Sequence, residues 1–308
     1  MPLASSPRRR SPRPARTLAA LALAAAGCGD DGGTAVDAGP DGPPGAACAA
    51  DREPTARFHV IPEPGAGSRV GSQAGGQLLA FARPRLATTL VTDGGCRFVG
   101  PSPALCDPAC SGGAVCDVDG ACVPYPEALA AGAFTVTGTT PPLTLQPQAG
   151  NGYYVDQLYP HLFGVDAAIT MALAGQGAVE PLTATVRGVP VLTLPTTQLT
   201  AREHQPMEVR WDPMPRPAGA EVLVHFDSDH HGVLAYLECT APAAAGSLTI
   251  PTSVLDPLIL AGETGIGTYI ENAWIEVHHQ ARIDTARGCA VFETYSDEFV
   301  HVETIRAR

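Results

Sequence analysis

The sequence predicts a mainly β protein, a small disulfide-rich β module followed by an antiparallel β-sandwich. Three observations carry this expectation. The 308 residues include 33 glycines and 30 prolines, about a fifth of the chain, which favours short strands joined by turns over helical bundles. Short apolar runs with period-two alternation recur along the second half at the spacing of a sandwich. Nine cysteines are present, four of them crowded between residues 106 and 122. With 45% hydrophobic and 16% charged residues, the chain has enough apolar surface to bury a core.

In chain order, residues 1–27 read as an address. Arg8, Arg9, Arg10, Arg13 and Arg16 precede the apolar run Leu18–Ala26, and Gly27 leads into Cys28. A basic region, a short apolar stretch and small residues at a cleavage point form a secretory signal. Nine apolar residues span about 14 Å as a helix, against about 30 Å of hydrocarbon in a bilayer. The run Ala25-Ala26-Gly27-Cys28 resembles a bacterial lipobox, which implies cleavage before Cys28 and lipidation of its thiol. The expected location is therefore the cell envelope, exported and held to a membrane by lipid on its outer or periplasmic face. Residues 28–47, rich in Gly, Asp, Pro and Ala, read as a flexible tether.

Two regions follow, 48–130 and 131–308. In the first, Arg57–Ile61, Gln77–Arg83 and Leu86–Thr92 read as strands, and the cysteine cluster follows them. In the second, strands are expected at 134–136, Leu143–Gln146, Ala168–Leu173, Val189–Leu194, Met207–Trp211, Glu221–Phe226, Val233–Cys239, Tyr269–Ile283, Ala290–Tyr295 and Phe299–Thr304, with one short helix at Ser253–Leu260.

The cysteines are Cys28, Cys48, Cys96, Cys106, Cys110, Cys116, Cys122, Cys239 and Cys289. Nine is odd; lipidation of Cys28 leaves an even eight in an oxidising compartment. Eight cysteines can pair in about a hundred ways. The expected pattern interleaves Cys106–Cys116 with Cys110–Cys122 and leaves Cys48 with Cys96 and Cys239 with Cys289. A zinc site at the cluster is the rival; it lacks a C-x₂-C knuckle and a nearby His.

The stretch CDPACSGGAVCDVDGACVPYP, residues 106–126, resembles the small EGF-like cysteine clusters of lipoproteins from myxobacteria and related GC-rich bacteria, and the absence of lysine fits such a genome. The resemblance implies location and architecture rather than an activity. The segment from Met207 to Pro242, with a strand ending in Trp211-Asp212-Pro213 and a Pro/Gly loop, is similar to fibronectin type III and immunoglobulin-like sandwiches. That resemblance implies an immunoglobulin-like antiparallel β-sandwich for the second region, with Trp211 expected as a core anchor.

Charge narrows the partners. The formal charge is −12; the leader holds five of the 19 arginines, so 14 face 31 acidic residues after it, a charge of −17. Such a chain repels nucleic acid. With no lysine, lysine Schiff-base and P-loop chemistry are excluded. No cofactor is expected, and the partners are a membrane through the lipid and a protein or glycan ligand.

The expected role is a non-catalytic binding, adhesion or structural one. Two alternatives carry named residues. His225, His230 and His231 with Asp227 and Asp229, and His278 and His279 with Glu276, could converge on a divalent metal if their strands are neighbours, with His225, His230 and His278 as ligands of a hydrolytic or metal-binding site. Adjacent histidines on one strand point to opposite faces, so only one of each pair can serve. Tyr153, Tyr154 and Tyr159 could form a glycan-contact patch. Asp117-Val118-Asp119-Gly120 hints at calcium but lacks the further oxygen ligands of an EF loop.

Overall fold

The computed structural model describes residues 47–49, 52–62, 72–101, 106–156, 162–212, 217–228, 235–261, 269–270 and 272–307. The expected signal, Cys28, almost all of the tether, Tyr159 and His230 with its neighbours Asp229 and His231 lie outside these residues.

The chain begins with β1 (Pro54–Ile61), β2 (Gln73–Leu79), β3 (Ala87–Asp93) and β4 (Cys96–Pro101). A small disulfide module carries β5 (Ala114–Cys116) and β6 (Cys122–Pro124). Then come β7 (Ala128–Leu129), β8 (Phe134–Thr137), β9 (Leu143–Leu145), β10 (Tyr153–Asp156), β11 (Ala168–Leu173) and β12 (Leu182–Arg187). The last third holds β13 (Gln198–Arg202), β14 (Met207–Arg210), β15 (Glu221–Asp227), β16 (Tyr236–Pro242), β17 (Ser247–Ile250), α1 (Thr252–Ala261), β18 (Tyr269–Ile270), β19 (Asn272–Thr285), β20 (Gly288–Phe299) and β21 (His301–Ile305). The protein is mainly β, as its composition predicts.

One ten-stranded sheet organises the rest. Its order is β10-β2-β1-β20-β19-β15-β16-β4-β3, with β7 added beside β2. The spine is the long β19–β20 hairpin. Strand β1 pairs with its second half in parallel, from Cys289 to Thr294, whereas β15 pairs with the opposite end, from Asn272 to His278. The hairpin thus serves two packed layers at once. At one end the four-stranded sheet β12-β11-β8-β9 closes a core of Phe58, Phe134, Ile169, Met171, Val186 and Phe292. At the other, α1 and strands β13, β14, β17, β18 and β21 close a second core around Trp211, Val224, Phe226, Leu237, Leu258 and Ile275. Trp211 is the expected anchor: it is buried and its Nε1–H donates to the Ala243 carbonyl at 2.8 Å.

The residues explain the strands. In β12, Leu182, Ala184 and Val186 point inward while the threonines between them face out, the alternation of a half-buried strand. The hairpin turn is tight because Gly288, at φ +131°, passes Thr55 so closely that a Cβ would lie 2.7 Å from its Cγ2. The stretch Val189–Leu194 is not a strand. Pro190 removes a ladder donor, yet Val189 and Leu192 still plug the core. The expected strand Tyr269–Ile283 is split: β18 joins β21 in a separate three-stranded sheet.

The division expected at residue 130 is not where the layers part. Pro43–Arg308 forms one compact unit, and the ten-stranded sheet draws β1–β4 and β7 from before that position and β10, β15, β16, β19 and β20 from after it. The pairing β1–β20 and the pairing β13–β21 are parallel, departures from an all-antiparallel sandwich that follow from strands distant in sequence meeting side by side.

Four disulfides are present: Cys48–Cys289, Cys96–Cys239, Cys106–Cys116 and Cys110–Cys122. The interleaved pair in the module is as expected. The expected Cys48–Cys96 and Cys239–Cys289 bridges are exchanged, and the topology is the reason. Antiparallel β4 and β16 set Cys96 directly opposite Cys239, and β1 lies along β20, bringing the residues ahead of it to Cys289. Four disulfides belong to an oxidising compartment. Among the described residues, no helix is long and apolar enough to cross a membrane.

Candidate functional site

Side chains alternate across a sheet, and the ladders of β1, β20, β19, β15 and β16 therefore define two faces. One carries Phe58, Val224, Phe226, Ile275, Val277 and Phe292 and is sealed in the two cores. The other is polar. There Glu276 lies opposite Asp297, His278 opposite Tyr295, Gln280 opposite Glu293, His59 opposite Glu293, and His225 opposite both Trp274 and Glu238. Glu293, Asp297, His225 and His278 are nevertheless buried. Burying so many ionisable groups requires compensating partners.

Those partners form two clusters. In the first, the His225 ring stacks on Trp274 at 3.8 Å and on Tyr236 at 5.1 Å between centroids. Its Nδ1 lies 3.1 Å from the Glu238 carboxylate, which also accepts from Arg97 Nε at 2.9 Å. Burial pushes the Glu238 carboxyl up, but hydrogen bonds from His225 and Arg97 outweigh it and hold the pKa down at about 2. In the second, His278 Nδ1 meets Glu276 at 3.1 Å, and its Nε2 lies 3.7 Å from Glu221, an ion pair rather than a hydrogen bond. Burial disfavours the imidazolium, yet the Glu221 and Glu276 carboxylates, with Glu293 adding charge, raise its pKa to about 9. Next along the face, burial pushes the Glu293 carboxyl up while Arg57, 3.5 Å away, opposes it. Burial also pushes up the Tyr295 phenol, with Glu276, Glu293 and Asp297 adding to the effect.

The sheet curls around this face. Burial raises the Tyr236 phenol, and the charges of Glu238, Glu53 and Asp227 act in the same direction. Glu53 precedes β1; in a flat sheet four strand spacings, about 19 Å, would separate β1 from β16.

No protein-family model matches the chain, and no characterised protein matches it.

The predicted metal ligands do not converge among the described residues. His225 and His278 do share a face on neighbouring strands. However, His278 lies opposite Glu221, four residues and about 13 Å along the strand from His225, and each imidazole is held by its own carboxylate. His279 points the other way, as its place beside His278 requires, and its Nδ1 accepts from the Arg187 N–H at 3.2 Å. Among the described residues, the one group of closely spaced ligand atoms is that of Cys106, Cys110 and Cys116, and disulfides use these sulfurs. Asp117 and Asp119, the calcium-like pair, instead hold Arg85: Asp119 Oδ2 lies 2.6 Å from its guanidinium and Asp117 Oδ2 accepts its N–H at 2.8 Å. The tyrosine patch divides as well. The Tyr153 ring packs on Phe58 and its hydroxyl donates to the Gly132 carbonyl at 2.7 Å, while Tyr154 is exposed on the opposite face.

Sequence reading missed Arg57, His59, Trp274, Glu238 and Glu293 as one surface. A signal was present in the period-two rows Trp274/Glu276/His278 and Glu293/Tyr295/Asp297. Their convergence depends on which strands are neighbours.

Proposed function

We propose that the mature protein is a cell-envelope protein held to a membrane by lipid on Cys28, with a non-catalytic binding role carried by the polar face of the ten-stranded sheet. The observation that carries the anchor is cysteine parity. Eight of nine cysteines pair with one another, so no cysteine partner remains for Cys28, the residue that follows the apolar run of the leader. A thiol left over in an exported chain needs another use, and a diacylglyceryl thioether supplies one; stable anchoring then takes more than one acyl chain. The EGF-like cluster, with its interleaved bridges, agrees with the resemblance to envelope lipoproteins. The binding role rests on the paired aromatic and ionic side chains of the curled face, the composition of a surface that recognises a polar ligand.

The test is fractionation of a producing bacterium. Wild-type protein is expected in the membrane fraction, and Cys28→Ala or treatment with globomycin should release it or stall its processing. Undiminished membrane retention of the Cys28→Ala protein overturns the anchor.

A further inference from the structure

A cleft of about 440 Å³ opens on the polar face beside β1 and β2, and Thr55, Arg57, His59, Gln77 and Arg83 line it together with Glu53. Its charge runs against that of the molecule, where 14 arginines face 31 acids after the leader. Arg83 is exposed and makes no ion pair among the described residues. Arg57 is half-exposed, and its counter-ion is a Glu293 carboxylate at 3.5 Å. At that distance, longer than a hydrogen bond, the pair leaves the Arg57 guanidinium donors available to a ligand. His59 Nε2 is buried with no hydrogen-bond partner; burial and Arg57 hold the ring neutral, with a pKa near 4. A buried imidazole nitrogen without a partner is costly unless a ligand completes it.

Two guanidinium forks bind a planar carboxylate in bidentate fashion. The Gln77 amide can then meet a neighbouring hydroxyl. Glu53 in the same cleft opposes a second negative charge, which favours a monoanionic carboxylate over a phosphate dianion. A second cleft of about 300 Å³ shares Glu53, Thr55 and Arg83, so Arg83 stands where the two meet, with room for more than one sugar ring. We infer that these joined clefts bind a glycan bearing uronic-acid carboxylates, with Arg83 and Arg57 as the carboxylate contacts. The inference rests on the reading of the polar face as a binding surface and names its ligand class.

Calorimetric titration of the purified full chain tests it, with an oligogalacturonide, a neutral oligosaccharide of equal length, an oligoglutamate peptide and inorganic phosphate as probes. The expected result is saturable binding of the uronide alone, weakened about tenfold or more by Arg83→Gln. That exposed substitution removes no bond among the described residues, and the unfolding midpoint of the variant should match wild type. Absence of uronide binding, equal binding of the neutral sugar, tighter binding of peptide or phosphate, or an unchanged Arg83→Gln affinity each overturns the assignment. Neutral-sugar binding that Trp274→Ala abolishes and Arg83→Gln spares overturns it too, while leaving the polar face standing as a binding surface.

Discussion

His59 and His278 sit on the same sheet face, and their surroundings drive them in opposite directions. Burial opposes charging both. At His278 the carboxylates of Glu221 and Glu276 overcome it and raise the pKa from 6.5 to about 9; at His59 the Arg57 charge reinforces it and the pKa falls to about 4. Linkage fixes the consequences. A raised histidine stabilises the fold fully below its unfolded pKa, so the His278 contribution is complete below pH 6.5 and is lost as pH rises through 9. A lowered histidine acts in reverse: the neutral His59 ring contributes fully above pH 6.5, and that contribution is lost as pH falls toward 4. In His278→Gln the urea midpoint should therefore stop declining between pH 6.5 and about pH 9, while the acid limb set by His59 persists. A His278→Gln profile with the wild-type alkaline slope would show that the ring is not charged in the folded protein. These opposed shifts were not legible in the sequence. His278 was visible as a titratable residue, but Glu221 reaches it only through the β15–β19 register.

At the scale of the element, the disulfides divide by how local they are. Cys106–Cys116 and Cys110–Cys122 span 10 and 12 residues, and a segment that short offers few pairings, so sequence spacing found them. Cys48–Cys289 spans 241 residues and depends on β1 running parallel to β20, a contact no local pattern encodes. Strands with clean alternation such as Phe134–Thr137 were legible for the same local reason. Val189–Leu194 misled because apolar residues fill the core there without a ladder. The long bridge also has a measurable role. It ties residues ahead of β1 to the start of β20, and Arg282 Nη2 strengthens the tie by donating to the Ala49 and Arg52 carbonyls at 3.1 and 2.8 Å. Replacing both cysteines, Cys48→Ser with Cys289→Ser, should lower the unfolding free energy by about 2–5 kcal/mol in urea titrations monitored by tryptophan fluorescence. A loss well below that range would mean that the ladder and Arg282 hold this segment without the bridge.

For the whole molecule, the central question is whether two cores make one folding unit. Phe58, Phe134, Ile169 and Phe292 belong to one core and Trp211, Val224, Phe226 and Ile275 to the other. Were these separate domains, each would have its own sheet. Instead the β19–β20 hairpin contributes Phe292 to the first and Ile275 to the second, and its twelve-pair ladder runs between them from Trp274–Phe299 to Thr285–Gly288. Loss of either core strips one end of the hairpin of its cover and exposes backbone groups along the shared ladder, at a cost comparable to that of the packing itself. The cores should therefore unfold together. Phe134→Ala, which removes a fully buried ring packed against Phe58 with centroids 4.8 Å apart, should cost about 3–5 kcal/mol and shift a single calorimetric transition to lower temperature without splitting it. Tryptophan fluorescence, from Trp211 in the opposite core and Trp274 on the hairpin beside it, should report the same lowered midpoint as the calorimeter. Two resolved transitions, with the fluorescence midpoint unmoved, would mean that the hairpin bends or frays between the layers and that each layer holds its own half.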